Sequence, residues 1–105
     1  MSSDPTHKVI HDEAKSRYVI YVADEEAGYA DYDSRETIAL EMPPVRDFNH
    51  TVVYPKFQGQ GLSKELVKFA LDDTRRIGGR VIASCSAVDG FIASNPQYKD
   101  LLDEQ

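Results

Sequence analysis

Gly59 and Gly61 are separated by one residue in Gln58-Gly59-Gln60-Gly61-Leu62-Ser63, after a stretch of strand character and before one of helical periodicity. The first N–H groups of a helix lack intrahelical partners, and the macrodipole adds about half a positive charge there. Glycines let such a backbone turn through positive φ and approach an anion, so the run reads as a pyrophosphate cradle or as a plain tight turn. It is neither the dinucleotide-binding Gly-x-Gly-x-x-Gly nor a P-loop, whose Gly-Lys-Ser/Thr end is missing. Cys85, the only cysteine, directly follows a short apolar segment and is a candidate nucleophile or a small buried hydrophobe. His50 lies on the segment before the glycine loop and shares a face with Phe48, Val52 and Tyr54 if that strand is regular. Its ordinary pKa suits a base near neutral pH, and a hydrogen-bonded structural histidine is the alternative. His7 and His11 sit at the edge of the sheet without an assigned role. No two histidines have metal-ligand spacing with other donors nearby, so no metal is expected. Asp31, Asp33, Glu36 and Glu41 offer either a site for a cation or a solvated face.

These residues are positioned by short elements. Strand character appears around Lys8–His11, at Arg17–Ala23, at Ala27–Asp33 and at Glu36–Met42, with turns at Glu25-Glu26 and Asp33-Ser34. Such short connections make neighbours antiparallel. Pro43-Pro44 ends the meander, and a fifth strand follows at Phe48–Tyr54. A helix spans Leu62–Ile77, with Leu62, Leu66, Phe69 and Ala70 on one face and Lys68–Asp72 and Asp72–Arg76 as i,i+4 pairs. Gly78-Gly79 supplies its left-handed cap. The strand Arg80–Ser84 then pairs parallel to the fifth strand or near it. A shorter helix at Ala87–Ser94 and a last turn at Tyr98–Leu102 complete an α+β class, a mostly antiparallel mixed sheet with helices.

At 105 residues the chain is one domain, 1–105, with residues 1–6 a polar tail. Area scaling allows about 65% of its surface to be buried, enough for one core. One cysteine excludes an internal disulfide framework, and no apolar run spans a membrane or follows Met1 as a signal sequence, so a cytoplasmic location is expected. The net charge of −6 resides in residues 1–47, while residues 56–80 carry a surplus of three positive charges. An acidic first half argues against nucleic-acid binding, yet the basic stretch around the glycines suits a smaller polyanion.

Gln58-x-x-Gly61-x-Ser63 resembles the Arg/Gln-x-x-Gly-x-Gly/Ala acetyl-CoA signature of GNAT-type N-acetyltransferases. Asn49 to Tyr98 resembles small single-domain members more specifically: a His-Thr pair before the loop, a helix ending in Gly-Gly, a strand, a cysteine and a closing Asn-Pro-x-Tyr. The resemblance implies a minimal GNAT fold, acetyl-CoA as co-substrate, and acetyl transfer to an unidentified amine. A CoA-binding module without turnover is the alternative.

It also implies that Gln58, Gly59, Gln60, Gly61, Leu62 and Ser63 hold the CoA pyrophosphate. Val52 and Val53 then bond the pantetheine arm as another strand would. Cys85 would line the thiol site as acyl acceptor, proton donor or packing residue, and Tyr98 would cap or protonate the CoA sulfur, or simply pack; in such a site His50, from its own position and ordinary pKa, is either the base for the amine or a structural histidine. Ser63 departs from the usual Gly/Ala. Only Asp12 to Ser16 separate the first two strands, where larger members insert helices, so the acceptor pocket is open or completed by a partner protein.

Overall fold

Residues 6–35 and 44–103 are described by the computed structural model, and they build a five-stranded sheet, order β1-β2-β3-β4-β5, with two α-helices. β1 (His7–Asp12) and β2 (Arg17–Val22) pair antiparallel across a 3₁₀ turn at Glu13–Lys15. Asp12 Oδ1 starts that turn by accepting the Lys15 N–H at 3.3 Å. β2 and β3 (Glu25–Arg35) form a hairpin whose turn is Ala23-Asp24, at φ 50° and 69°. Two positive φ values match the right-handed twist of a two-residue hairpin. The turn therefore precedes Glu25-Glu26, which instead open β3. Asp33-Ser34 is not a turn either, because both residues pair with β4 opposite Asp47 and Arg46. Ladder partners override the local preference of an Asp-Ser pair. The strand expected at Glu36–Met42 lies outside the described residues, and the one expected at Phe48–Tyr54 is β4 (Val45–Val53).

Two bulges shape the centre of the sheet. Ala27 is an extra residue of β3 against β2, and Asn49 an extra residue of β4 against β3. A Cβ on Gly28, next to the first bulge, would run into the Val52 carbonyl, so the backbones can approach only with glycine there.

α1 (Leu62–Arg76) starts at Gly61 and ends in a Schellman cap, with Gly78 at φ 73° and the Gly79 N–H on the Thr74 carbonyl at 2.9 Å. Leu62, Leu66, Val67, Ala70 and Leu71 are buried in one core with Tyr18, Ile20, Ala30, Tyr32 and Phe48 of the sheet. Each fully buried large aliphatic side chain stabilises by about 1.5–3 kcal/mol. Phe69, expected in that stripe, is 41% exposed, and Val67 takes its place. The Lys68–Asp72 pair forms at 3.1 Å, whereas Arg76 turns to Asp73 at 2.8 Å. β5 (Arg80–Ala83) pairs parallel to β4, and α2 (Ser86–Ser94) adds Val88 and Ile92 to the core. No helix among the described residues is long and apolar enough to cross a membrane.

Candidate active site where β4 and β5 part

β4 and β5 stay paired only from Val45↔Arg80 to Phe48↔Ala83. A last bond from the Cys85 N–H to the Phe48 carbonyl, at 2.9 Å, closes the ladder. From there the chain turns into α2 while β4 runs on to Val53, so Thr51–Val53 have β3 on one side and no strand among the described residues on the other. The Tyr54 N–H bonds the Ala27 carbonyl of β3 at 2.9 Å. Strand alternation then turns the Thr51 and Val53 peptide groups toward the gap and that of Val52 toward β3. Gln58 Nε2 donates to the Val53 carbonyl at 3.1 Å, where the amide of an extended ligand would donate.

The gap opens into a groove of about 320 Å³ lined by Thr51, Val53, Gln58, Gly59, Gly61, Leu62, Ser63 and Ala87. A second hollow of about 500 Å³ between the helices shares Ser63 and Ala87 with it and adds Lys64, Ser86, Gly90 and Phe91. Gly59 and Gly61 have φ of 86° and 73°, and a Cβ on either would meet no atom within 4 Å. Any side chain there would extend into open space beside the free N–H groups of Leu62, Ser63 and Lys64. Donor set, dipole and clearance therefore fit a pyrophosphate. Of the two lysines near the loop, Lys56 is held by Glu25 at 2.9 Å, while Lys64 lines the second hollow without an ion-pair partner among the described residues.

Cys85 is the N-cap of α2, and its Sγ lies 3.5 Å from Thr51 Oγ1 across the gap. Burial pushes its thiol pKa up, but hydrogen bonds from Thr51 and from the Ala87 and Val88 N–H groups outweigh burial and hold it below the ordinary value. The bulge at Asn49 breaks the alternation between Phe48 and His50. Phe48 is buried in the core, and His50 is exposed on the opposite face, 6.0 Å from the Tyr29 ring. The common face expected for these two residues is thereby corrected, because one extra residue reverses strand parity. Val52 and Tyr54 do share the His50 face, with Tyr54 6.1 Å from Tyr29.

Tyr98 lies elsewhere. Its hydroxyl donates to Asp72 Oδ1 at 2.8 Å, and its ring meets Phe91 at 5.3 Å. The site thus joins Gln58–Ser63, Val53 and Cys85, sets His50 across the strand, and leaves Tyr98 on the flank of α1. Thr51, Ala87 and Phe91 emerge only from the structure; the His-Thr pair and the small residues after Cys85 were the available signals.

A family model described as GCN5-related N-acetyl-transferase matches residues 17–101, and the chain belongs to that family. No curated protein matches the chain. Among solved structures, a GCN5-like protein from Staphylococcus aureus aligns at TM-score 0.61 and 20% identity, over 99% of this chain and 93% of that one. Ribosomal-protein-alanine N-acetyltransferase from Brucella melitensis aligns at 0.58 and 14%, over 90% and 67%. The aminoglycoside N-acetyltransferase AAC(6')-Iy in complex with CoA aligns at 0.51 and 16%, and this chain spans 64% of it. The shared fold is the five-stranded mixed sheet with its helices.

Proposed function

We propose that the protein binds acetyl-CoA in the groove between α1 and the β4–β5 gap and transfers its acetyl group to an amine. The observation that carries this is the open clearance at Gly59 and Gly61, beside the uncapped N-terminus of α1 and continuous with the unpaired edge of β4. Family membership supports the same chemistry, and a structural neighbour has been solved with CoA.

Acetyl-CoA supplies an activated acyl group on a thiolate that leaves readily. Gln58–Ser63 bind the pyrophosphate, and the peptide groups of Thr51 and Val53 align the pantetheine so that its sulfur lies near Cys85. The amine nitrogen bonds to the thioester carbon, the C–S bond breaks, the amine gives up a proton, and the departing sulfur gains one. His50 is the group assigned to take the amine proton. Positioning carries most of the rate, since thiolates need little acid assistance. Cys85 lines the sulfur end of the groove without becoming acylated. Tyr98 is bound to Asp72 and takes no part.

A single 3₁₀ turn joins β1 to β2, so no helix from that connection closes an acceptor pocket. This favours, as a second interpretation, a CoA-binding module without turnover. Calorimetry with CoA and acetyl-CoA, together with thiol release in the presence of an amine panel, separates the two. Binding with thiol release supports the transferase, and binding without release the module. No binding of either ligand defeats both.

A further inference from the structure

The sheet ends differently at its two edges. Beyond β5 lies the chain's own C-terminal segment, where Leu102 bridges to Val81 and the Asp103 N–H bonds the Val81 carbonyl at 2.9 Å. β1 has β2 on one side and no strand among the described residues on the other. The Ala23 N–H bonds the Thr6 carbonyl at 2.9 Å. Strand alternation from that bond turns the peptide groups of Lys8, Ile10 and Asp12 toward β2 and those of His7, Val9 and His11 outward. Such an unpaired edge is a template for a further strand. Beside it Ile10 is 41% exposed, and Phe69 of α1, equally exposed, lines a groove of about 310 Å³ with His7 and Val9.

We propose that a second copy of this chain supplies the missing strand, β1 pairing antiparallel with its own copy about a twofold axis between the two Ile10 residues. The residue order selects this partner and this register. Ladder bonds form only where outward-facing residues of the two strands stand opposite one another. Among the registers that satisfy this, the one centred on Ile10 sets Ile10 against Ile10 and Lys8 of each copy against Asp12 of the other. Centring on Val9 would set Lys8 against Ile10, and centring on His11 would set Asp12 against Ile10. Both alternatives place a charge on the exposed apolar side chain.

The two charges are available for this contact. Lys8 makes no ion pair among the described residues, and Asp12 accepts the Lys15 N–H through Oδ1. Arg17, opposite Asp12 in register, is bound to Asp31 instead. A lysine on an edge strand discourages pairing with strands at large. Matched to Asp12 of a second copy, it admits this strand and opposes others. An axis perpendicular to the sheet keeps the helices of both copies on one side and brings the two Phe69 grooves next to the axis. The groove assigned to CoA begins at β4, three strands away, so the dimer does not depend on the proposed activity.

A pair of strands this short belongs with the weak, transient interfaces. Sedimentation velocity between about 10 µM and about 1 mM should therefore show monomer passing into dimer. Lys8→Asp and Asp12→Lys should each abolish the dimer by setting like charges opposite one another, and an equimolar mixture of the two should restore it as a heterodimer. Asp12→Lys also removes the bond that starts the 3₁₀ turn, so cross-linking gives a test that leaves Asp12 intact. The two Ile10 residues would form a pair without ladder bonds, whose Cα atoms approach to about 4.5 Å, within disulfide reach. Ile10→Cys in a Cys85→Ala background should form a covalent dimer under mild oxidation, and Lys8→Cys in the same background should not. A monomer at every concentration, a dimer that Lys8→Asp leaves intact, or cross-linking through Lys8→Cys as readily as through Ile10→Cys would overturn the proposal.

Discussion

Tyr18 of β2 and Asp73 of α1 meet at 2.5 Å, the hydroxyl donating to Oδ2. Arg46 of β4 donates to the same hydroxyl at 2.5 Å and also lies 3.5 Å from Asp73 Oδ2 and 3.3 Å from Thr74 Oγ1. One phenol therefore mediates between two charges, and the set ties β2 and β4 to the last turns of α1. Arg46 is 7% exposed, so its charge depends on these partners. Tyr18→Phe keeps the ring and removes the bridge, and should cost about 1–3 kcal/mol in denaturant unfolding. Arg46→Ala, which removes the buried cation from the phenol but leaves Asp73 its pair with Arg76, should cost about 1–3 kcal/mol. CoA affinity should hold in Tyr18→Phe, because the groove lies at the other end of α1. Equal stability of wild type and Tyr18→Phe would show that the bridge contributes nothing.

The same cluster sets a pH dependence through His11. Its ring stacks on Tyr18 at 4.2 Å, with Nε2 2.5 Å from the Tyr32 hydroxyl and Nδ1 3.5 Å from Asp73. Burial, then the Arg46 charge, hold its pKa below 6.5, against the opposite pull of Asp73, Glu13 and Asp12. A folded-state pKa below the unfolded one means that the unfolded chain binds the proton more readily. This stability is complete above pH 6.5 and is lost as pH falls from there through the folded-state value. Asp73, also depressed, adds a loss only below the ordinary carboxylate range. Tm should fall between pH 7 and 5 in the wild type, and His11→Asn should flatten that fall. An equal slope in the variant would assign it to other groups.

Gly61 tests the pyrophosphate cradle with two substitutions that differ in strain. Gly61→Val places a β-branched residue at φ 73°, costing on the order of 1–2 kcal/mol of strain. Gly61→Asn tolerates that conformation and still extends a side chain into the clearance. Both should weaken CoA by at least about tenfold, with Asn sparing the fold. Full affinity in Gly61→Asn would remove the cradle from the site.

How far these features were legible in the sequence depends on whether a local signal marks them. Gly61 and Gly78 mark both ends of α1, and the expected Leu62–Ile77 agrees with the observed Leu62–Arg76 to within a residue. The hairpin turn at Ala23-Asp24 has neither glycine nor asparagine, so the acidic pair after it drew the assignment instead. The bulge at Asn49 has no compositional mark, yet that one residue moves His50 to the other face of the sheet. Phe69 has the right spacing for the core, but Val67 is nearer the centre of the stripe and the phenylalanine is left at its edge. The Tyr98 hydroxyl finds Asp72 across a tertiary contact that no sequence spacing encodes.

Thr51 should control the reactivity of Cys85. With the thiol pKa held below its ordinary value, alkylation by iodoacetamide should reach half its maximal rate at a lower pH than for a free cysteine. Thr51→Val removes the hydroxyl 3.5 Å from Sγ and should move that midpoint upward. Incubation with acetyl-CoA alone should leave the protein mass unchanged, because direct attack by the amine needs no acyl-cysteine. An added acetyl group that disappears in Cys85→Ala would show a covalent route instead.

His50 carries the mechanistic prediction. An amine acceptor arrives mostly protonated at neutral pH, so a base must remove a proton before attack. His50 is exposed, and it projects onto the sheet face turned away from the core, from the strand that flanks the CoA groove. Asp31, opposite it in register on β3, is tied to Arg17. His50→Gln keeps the size and some hydrogen bonding while removing the base. With CoA affinity retained, kcat/KM should fall by roughly 10²–10⁴, and the acidic limb of the pH–rate profile should disappear. Because the side chain is exposed and fills no part of the core, Tm should hold within about 2–4 °C, the range expected of surface substitutions in a domain of this size. Unchanged kcat/KM in this variant would pass the role of base to water ordered at the β4–β5 gap.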